Sequence, residues 1–235
     1  MKQAITRISA VALLAFTASI AHAQSAGSFY VTSGWFHIAP QDHSGPLQVV
    51  SAGGVPVNQS VIPSGASVDA ADTFGLTAGY FITDHIAAEL VAGIPPRFDI
   101  DGEGALQQSG TLAHASLWSP TVLVKYFFNQ PDDKFRPYLG LGASYIWFSD
   151  AKITGNLLGL VPESIETSRQ WTPVINGGFN YNFDKHWFAG FSLSYVPFGV
   201  TATINAKNQV GSTVVSKARI TLDPIVTYVN VGYRF

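Results

Sequence analysis

The chain has 235 residues, no cysteine, and 13 Lys+Arg against 15 Asp+Glu, for a formal net charge of −2. Only 12% of its residues are charged while 47% are hydrophobic and 13% aromatic, which excludes intrinsic disorder; the missing basic excess excludes non-specific nucleic-acid binding. Without cysteine there is no disulfide framework and no thiolate-ligated metal site, and the low charge with positive mean hydropathy points toward lipid.

The first 23 residues read as a cleaved signal peptide. Lys2 and Arg7 form a positive n-region, residues 8–20 an apolar stretch too short to span a bilayer comfortably, and Ala21-His22-Ala23 a small-x-small cleavage pattern. The protein is therefore expected to be exported, with residues 24–235 as a single folded domain.

From there the chain alternates with period two, and eight strands follow in order. Strand one covers residues 28–38, and a connection of about thirty residues rich in Gly, Pro, Ser and Val leads to strand two at 73–82. There Phe74, Leu76, Ala78 and Tyr80 oppose Thr73, Gly75, Thr77 and Gly79. A tight Thr83-Asp84-His85 turn leads into strand three, 86–94, where Glu89 and Gly93 lie opposite Ile86, Leu90 and Ile94. A longer loop near 101–116 precedes strand four, 120–128, with Thr121 and Lys125 opposite Val122, Val124 and Tyr126. After a short polar turn, strand five runs over 137–147. A long connection at 150–169 precedes strand six, 173–183. Asp184-Lys185 joins it to strand seven, 187–195, and a longer loop at 205–214 leads to the last strand, which ends Tyr233-Arg234-Phe235.

The connections thus alternate long and short, the pattern of an all-β, eight-stranded antiparallel transmembrane barrel with short periplasmic turns and long external loops. Aromatic residues mark the ends of the apolar face beside the short turns: Tyr80, Tyr126, Phe128, Tyr181, Phe183, Trp187, Tyr233 and Phe235. A soluble sandwich would also alternate, but its apolar face would be a packed core without such girdles.

By parity Leu123, Phe127, Ile146, Phe148, Val174 and Phe188 point into the lumen beside Thr, Asn and Gly. Either they fill a small barrel or they line an apolar path through its upper part, with glycines at 75, 79, 93, 140, 142, 178 and 190 leaving space. A water-filled ion channel would carry more charge on its wall. Glu89 and Lys125, inward on neighbouring strands, are expected to neutralise each other, because a lone charge in a narrow lumen is costly. Pro95 and Pro96 remove ladder donors and either end strand three or interrupt its pairing.

Several of these residues carry a resemblance. Leu222-Asp223-Pro224 before the last strand, the terminal Gly232-Tyr233-Arg234-Phe235, and Phe135-Arg136-Pro137-Tyr138-Leu139-Gly140-Leu141-Gly142 opening strand five recur in one order with Ser119-Pro120-Thr121, Tyr126-Phe127, Pro95-Pro96-Arg97, Gly34, Pro40 and Ser44. Together they resemble the OmpW family of small outer-membrane barrels, with its alkane-uptake relatives, over essentially the whole mature chain. The resemblance implies an outer-membrane location in a Gram-negative bacterium and contact with the lipid bilayer and lipopolysaccharide. It also implies passage of small hydrophobic ligands. It places a gap in the wall toward the bilayer at Pro95, and matches Trp171 to a tryptophan near the bound ligand, although parity puts Trp171 on the outer face. The terminal Tyr233 and Phe235 resemble the signal that many barrels present to the outer-membrane assembly machinery.

Two other readings stay open. One is a structural or adhesive barrel working through its external loops. The other is an enzyme: His114 and Ser116, at i and i+2, resemble the His-x-Ser pair of an outer-membrane lipid A deacylase, without an identifiable carboxylate. The remaining histidines lack metal-ligand spacing. No enzymatic activity and no cofactor are expected.

Overall fold

The computed structural model describes residues 25–154 and 159–235; the expected signal peptide lies outside them. The strands are β1 (Phe29–Ala39), β2 (His43–Ser44), β3 (Gln48–Ala52), β4 (Val55–Ser60), β5 (Ser64–Val68), β6 (Ala71–Phe81), β7 (Ile86–Gly93), β8 (Arg97–Gly104), β9 (Thr111–Trp118), β10 (Thr121–Phe127), β11 (Phe135–Ile153), β12 (Val161–Thr167), β13 (Gln170–Asn182), β14 (Trp187–Tyr195), β15 (Gly199–Lys207), β16 (Thr213–Thr221) and β17 (Ile225–Arg234).

Eight of them close a ring in the order β1-β6-β7-β10-β11-β13-β14-β17, every pairing antiparallel, with β17 returning to β1. These are the eight strands expected from the sequence. Closure follows from the period-two pattern, which is apolar outside: an open edge in hydrocarbon would leave backbone groups unpaired at several kcal/mol each. The outward side chains form the lipid-facing band. Leu76, Leu139, Leu141, Ile175 and Val231 are all exposed at its middle. Tyr80, Tyr126, Phe128, Tyr181, Phe183, Trp187 and Phe235 are exposed at the end that carries the short turns. At the other end Trp118 stacks on Trp147 at 5.7 Å, and Tyr145 meets Trp171 at 5.1 Å.

The short turns are stapled by side chains. The Asp184 carboxylate accepts the backbone N–H groups of Trp187 and His186, both at 2.7 Å, which holds its pKa below the ordinary carboxylate value. β1 begins and the chain ends on this side: Phe235 donates its N–H to Phe29 O at 2.9 Å.

The long connections differ from expectation, because they are ordered sheet rather than loop. β8 and β9 form a hairpin that joins β5 on one side and the upper half of β11 on the other. β15 and β16 form a second hairpin, in a sheet ordered β12-β15-β16-β3-β4, with β2 also on β16. The cause is alternation continuing beyond the expected ends. In β15 the buried Val200, Ile204 and Ala206 face inward, and in β16 Val214 and Ile220 do the same. Val200 and Ile220 pack with Ile38, Ala66, Phe98, Leu117 and Phe198, and Ile204 and Ala206 with Leu106 and Leu112, as two cores of an extracellular extension.

The outward band makes a quantitative demand. Leu141 is 67% exposed, so in a soluble protein Leu141→Arg would be nearly neutral. At mid-bilayer it should lower folding stability by about 2–4 kcal/mol, measured by denaturant titration of the barrel refolded in lipid vesicles.

Candidate functional site: a chamber that opens sideways

The lumen is divided by what fills it. In the lower half Tyr30, Phe81, Ala87, Phe127, Tyr138 and Phe188 form one buried cluster. Phe127 lies 5.1 Å from Phe81 and 4.9 Å from Tyr138. Arg136 and Arg234, 0% and 1% exposed, cap this plug from below. The Arg136 guanidinium sits 5.1 Å from the Phe127 ring and donates to Asp84 O at 2.7 Å. Arg234 sits 5.2 Å from Phe188 and donates to Asn182 Oδ1 at 3.0 Å.

This corrects two expectations. Phe127 and Phe188 belong to the plug rather than to an upper path. The inward glycines mostly do not leave room. The Tyr30 ring occupies the place of a β-carbon at Gly79, Phe36 that at Gly75, the Val122 carbonyl oxygen that at Gly142, and Asn230 that at Gly190. In a barrel this narrow a glycine lets the neighbouring strand's large side chain lie flat across it.

Above the plug the expected ion pair is present. Lys125 Nζ donates to Glu89 Oε1 at 2.6 Å, and Tyr30 Oη donates to Glu89 Oε2 at 2.7 Å. The ammonium also stands 4.5 Å above the Tyr138 ring. Both charges are almost fully buried, and each has a partner, as burial requires. They form the floor of a chamber of about 310 Å³. Leu123, Ile146 and Val174 supply its apolar wall, as parity expected; Thr77, Asn176, Ser192 and Tyr228 supply polar groups. Thr32 links Thr77 and Tyr228 through hydroxyl contacts of 2.8 and 2.7 Å.

The wall of this chamber is incomplete. The β7–β10 ladder stops at Val91 opposite Thr121. Pairing resumes where Leu117 N–H donates to Pro96 O at 3.0 Å and Arg97 faces Ser116. Between these points residues 92–95 face 118–120 with no ladder pair among the described residues. Pro95 and Pro96 lie on one rim and Pro120 on the other, so three backbone donors are missing. Carbonyls around the gap are nonetheless satisfied from their own sides. Ile94 O accepts from Thr73 Oγ1 at 2.6 Å, Ser119 O from Thr121 Oγ1 at 3.0 Å, and Pro120 O from Tyr145 N–H at 3.1 Å. Ile94 N–H donates to Phe74 O at 3.0 Å. A window whose rim satisfies its own polar groups is tolerable in hydrocarbon; a frayed one is not. Chamber residues Gly93, Pro95, Trp118 and Pro120 form both rims, and exposed Leu90, Ile94 and Val122 surround the opening on the lipid side.

A second, almost wholly apolar cavity of about 110 Å³ lies above, between the two sheets of the extension. Phe148 belongs to this cavity rather than to the chamber. Ile38, Leu117 and Phe198 line both spaces and form the neck between them. The neck and upper cavity go beyond the sequence reading. Their signal is the alternation of β15 and β16, in which Val200, Ile204 and Ile220 keep the two-residue period.

The remaining candidates fall elsewhere. Trp171 is 69% exposed on the outer face, where parity put it. On β9 Ala113, Ala115 and Leu117 are the buried, inward side chains, so His114 and Ser116 share the opposite face. His114 Nδ1 contacts Asp99 Oδ1 at 2.5 Å, so a carboxylate partner is present although the sequence did not identify it. Ser116 is not among the groups bonded to His114. Among the described residues no group of three His, Asp or Glu is placed to hold a metal ion. Tyr233 packs edge-on against Phe235 at 5.1 Å and against Trp187 at 5.1 Å, in the lower girdle.

A closed eight-stranded barrel with a lipid-facing band, two aromatic girdles and short turns at the end where β1 begins and β17 finishes defines a small outer-membrane protein of Gram-negative type. The chain belongs to the OmpW family, whose model matches residues 25–235. It is 30% identical to outer membrane protein W of Vibrio cholerae over 236 residues, covering 100% of both chains. The crystal structure of the outer membrane protein OprG from Pseudomonas aeruginosa superposes with a TM-score of 0.80 at 27% identity, covering 91% of this chain and 98% of that one. The dibenzothiophene metabolism operon protein PahQ of Pseudomonas aeruginosa is 29% identical over 183 residues, 76% of this chain and 79% of the relative. The protein therefore resides in the outer membrane, embedded in its bilayer.

Glu89 and Lys125 hold each other in place. Lys125→Ala leaves the Glu89 carboxylate buried with one donor and should destabilise the barrel by about 3–5 kcal/mol. The double change Glu89→Gln with Lys125→Met should recover most of that loss. Denaturant midpoints in vesicles, followed by heat-modifiable gel migration, distinguish the two.

Proposed function

We propose that this barrel carries small hydrophobic molecules from the cell exterior into the outer-membrane bilayer, releasing them sideways through the window between residues 92–95 and 118–120. The observation that carries this reading is the interrupted β7–β10 ladder opening directly onto the chamber. The route begins in the apolar cavity of the extension, passes the neck at Ile38, Leu117 and Phe198, and enters the chamber against Leu123, Ile146 and Val174.

The plug explains why the release is lateral. Below the chamber the route meets a paired buried charge, a packed aromatic layer and two capped arginines. Passage straight through would deliver an apolar solute to water, where each Å² of apolar surface costs about 25 cal/mol. Sideways delivery keeps that surface away from water throughout. The printed name of the relative PahQ places it in an operon of dibenzothiophene metabolism, and dibenzothiophene is a hydrophobe of the kind this reading calls for. The relatives are named as outer membrane proteins, which supports reading the protein as a conduit and not an enzyme. The girdle position of Tyr233 and Phe235 supports the further reading that the terminal aromatic engages the assembly machinery during insertion. The exposed extension supports contact with lipopolysaccharide.

Closing the window tests the release. Gly93→Cys with Ser119→Cys places two thiols across the gap. Oxidation or a short bifunctional maleimide should lower cellular uptake of a hydrophobic solute about tenfold, with barrel abundance unchanged, and reduction of the disulfide form should restore it. Pro95→Ala should act in the same direction more weakly, because Pro96 and Pro120 still interrupt the rims. Undiminished uptake through the crosslinked barrel would contradict lateral release.

A further inference from the structure

The two sheets of the extension differ in charge on their outward faces. In β15 and β16 the side chains that line the upper cavity include Val200, Ala202, Ile204, Ala218 and Ile220. Parity therefore turns Thr201, Thr203 and Lys207 outward on β15, and Lys217 and Arg219 outward on β16. Neither strand contains an acidic residue, and neither do β2, β3 and β4 beside them. The carboxylates of this sheet are Glu163 and Glu166 on its β12 edge, and Glu163 is engaged by Lys207 at 2.6 Å. Arg169, Lys217 and Arg219 are exposed and form no ion pair among the described residues. The other sheet contrasts with this one. β8 carries Asp99, Asp101 and Glu103, and the row that holds Lys152 runs through His114 to Asp99, so the cations there have acidic neighbours.

Lys217 and Arg219 stand two residues apart on one face, about 6.6 Å along the strand. Their cross-strand partners are Thr203 and Thr201. Arg169 joins them at the edge: the preceding Ser168 donates its N–H to Thr201 O at 3.2 Å, and Thr201 N–H donates to Ser168 Oγ at 3.1 Å. Glu166 faces Thr203, which puts it two strand spacings from Lys217, about 10 Å. An anion lying between Lys217 and Arg219 is attracted by both. The planar guanidinium fork suits phosphate oxygens, and the threonine hydroxyls are further donors on the same face.

The height of this face is set by the strands below it. Val196 N–H donates to Pro224 O and Leu222 N–H to Phe198 O, so the ladder runs nearly unbroken from Tyr195 and Ile225 to Thr201 and Arg219. Tyr195 is exposed at the upper end of the lipid-facing band. At about 3.3 Å per residue and a tilt of about 45°, Arg219 stands about 14 Å and Lys217 about 19 Å above Tyr195. That is above the acyl chains, at the level of the sugars of the outer leaflet.

We infer that the outward face of β15 and β16 is a docking surface for lipopolysaccharide, with Arg169, Lys217 and Arg219 holding phosphate groups of its inner saccharide core. This rests on the reading that the extension contacts lipopolysaccharide, and it assigns that contact to one face. Place and charge together name the occupant. The face continues the lipid-facing band upward, so its neighbour is the next lipid of the outer leaflet, and its unneutralised cations call for an anion. In the ring β15 and β16 rise from β14 and β17, which lie opposite the gap between β7 and β10. Lipopolysaccharide held there stands away from the window.

The test titrates the full barrel in zwitterionic detergent with rough lipopolysaccharide and counts the lipid-bound fraction by native mass spectrometry. Two lipids are compared, one with its phosphorylated core and one truncated to lipid A and its first sugars. The triple change Arg169→Gln, Lys217→Gln and Arg219→Gln should weaken binding of the phosphorylated form about tenfold, whereas Arg97→Gln with Lys152→Gln on the other sheet should change it by less than about twofold. The truncated form should bind the full chain more weakly and be insensitive to the triple change. Heat-modifiable migration confirms that each variant is folded. A triple variant that binds as the full chain does, or an equal loss from the change on the other sheet, would overturn the assigned face and leave the contact standing. Equal affinity of the full chain for the two lipids would overturn the core phosphates as the ligand. Absence of binding by the full chain would overturn the contact itself.

Discussion

Every feature of this molecule answers to the rule that a peptide group in hydrocarbon must find a hydrogen-bond partner within the protein. The rule closes the ring of eight strands, with β17 returning to β1. It also governs the interruption of the β7–β10 ladder. Between Val91 and Pro96, and between Leu117 and Thr121, three prolines remove donors that would otherwise need partners. Thr73, Thr121 and Tyr145 supply donors to carbonyls that would otherwise be stranded. The opening is thus part of the fold, held at the edge of the band by the same bonding that shuts the wall elsewhere.

The second constraint is the narrowness of the lumen. An eight-stranded barrel has just enough interior for its own side chains. The lower half uses all of it: Tyr30 lies over Gly79 and Phe188 over Gly232, and the arginines cap the stack. The upper half does not. There Leu123, Ile146 and Val174 stand around a space of about 310 Å³, and the ordered extension roofs it with a second apolar cavity. Sealing below, space above and a gap at the side are together what the proposed lateral release rests on. They also explain why a buried ion pair sits at the boundary: Glu89 and Lys125 form a polar floor without presenting a net charge to the chamber.

The barrel was legible in the sequence because alternation, the long-short rhythm of connections and the aromatic girdles all report the same geometry. The inward parity of Leu123, Ile146 and Val174, the Glu89–Lys125 pairing and the outward face of Trp171 followed from strand periodicity alone. What escaped was set by packing between strands. Periodicity tells which way Gly79 points but not that Tyr30 crosses it, so inward glycines read as space. It places Phe127 and Phe188 inward without saying at what height, so plug and path were merged. The extension is not legible because residues 41–71, rich in Gly, Pro, Ser and Val, read as a loop and residues 205–214 as a connection, although Val200, Ile204 and Ile220 keep the two-residue period. Asp99 was invisible as a partner of His114, because cross-strand register, not sequence distance, brings them together.

The central claim is that the chamber communicates with the bilayer and not with the periplasm. A fluorine label on Val91→Cys, within the chamber beside the window, tests it in lipid vesicles by paramagnetic relaxation. A nitroxide carried on a lipid acyl chain should enhance relaxation of the label strongly. A water-soluble paramagnetic chelate confined to the side of the short turns should leave it unchanged, as should either agent for a label at the fully buried Ala87 position. Strong relaxation of the Val91 label by the aqueous chelate with little effect of the lipid nitroxide would contradict the account and mark the lumen as a channel running straight through.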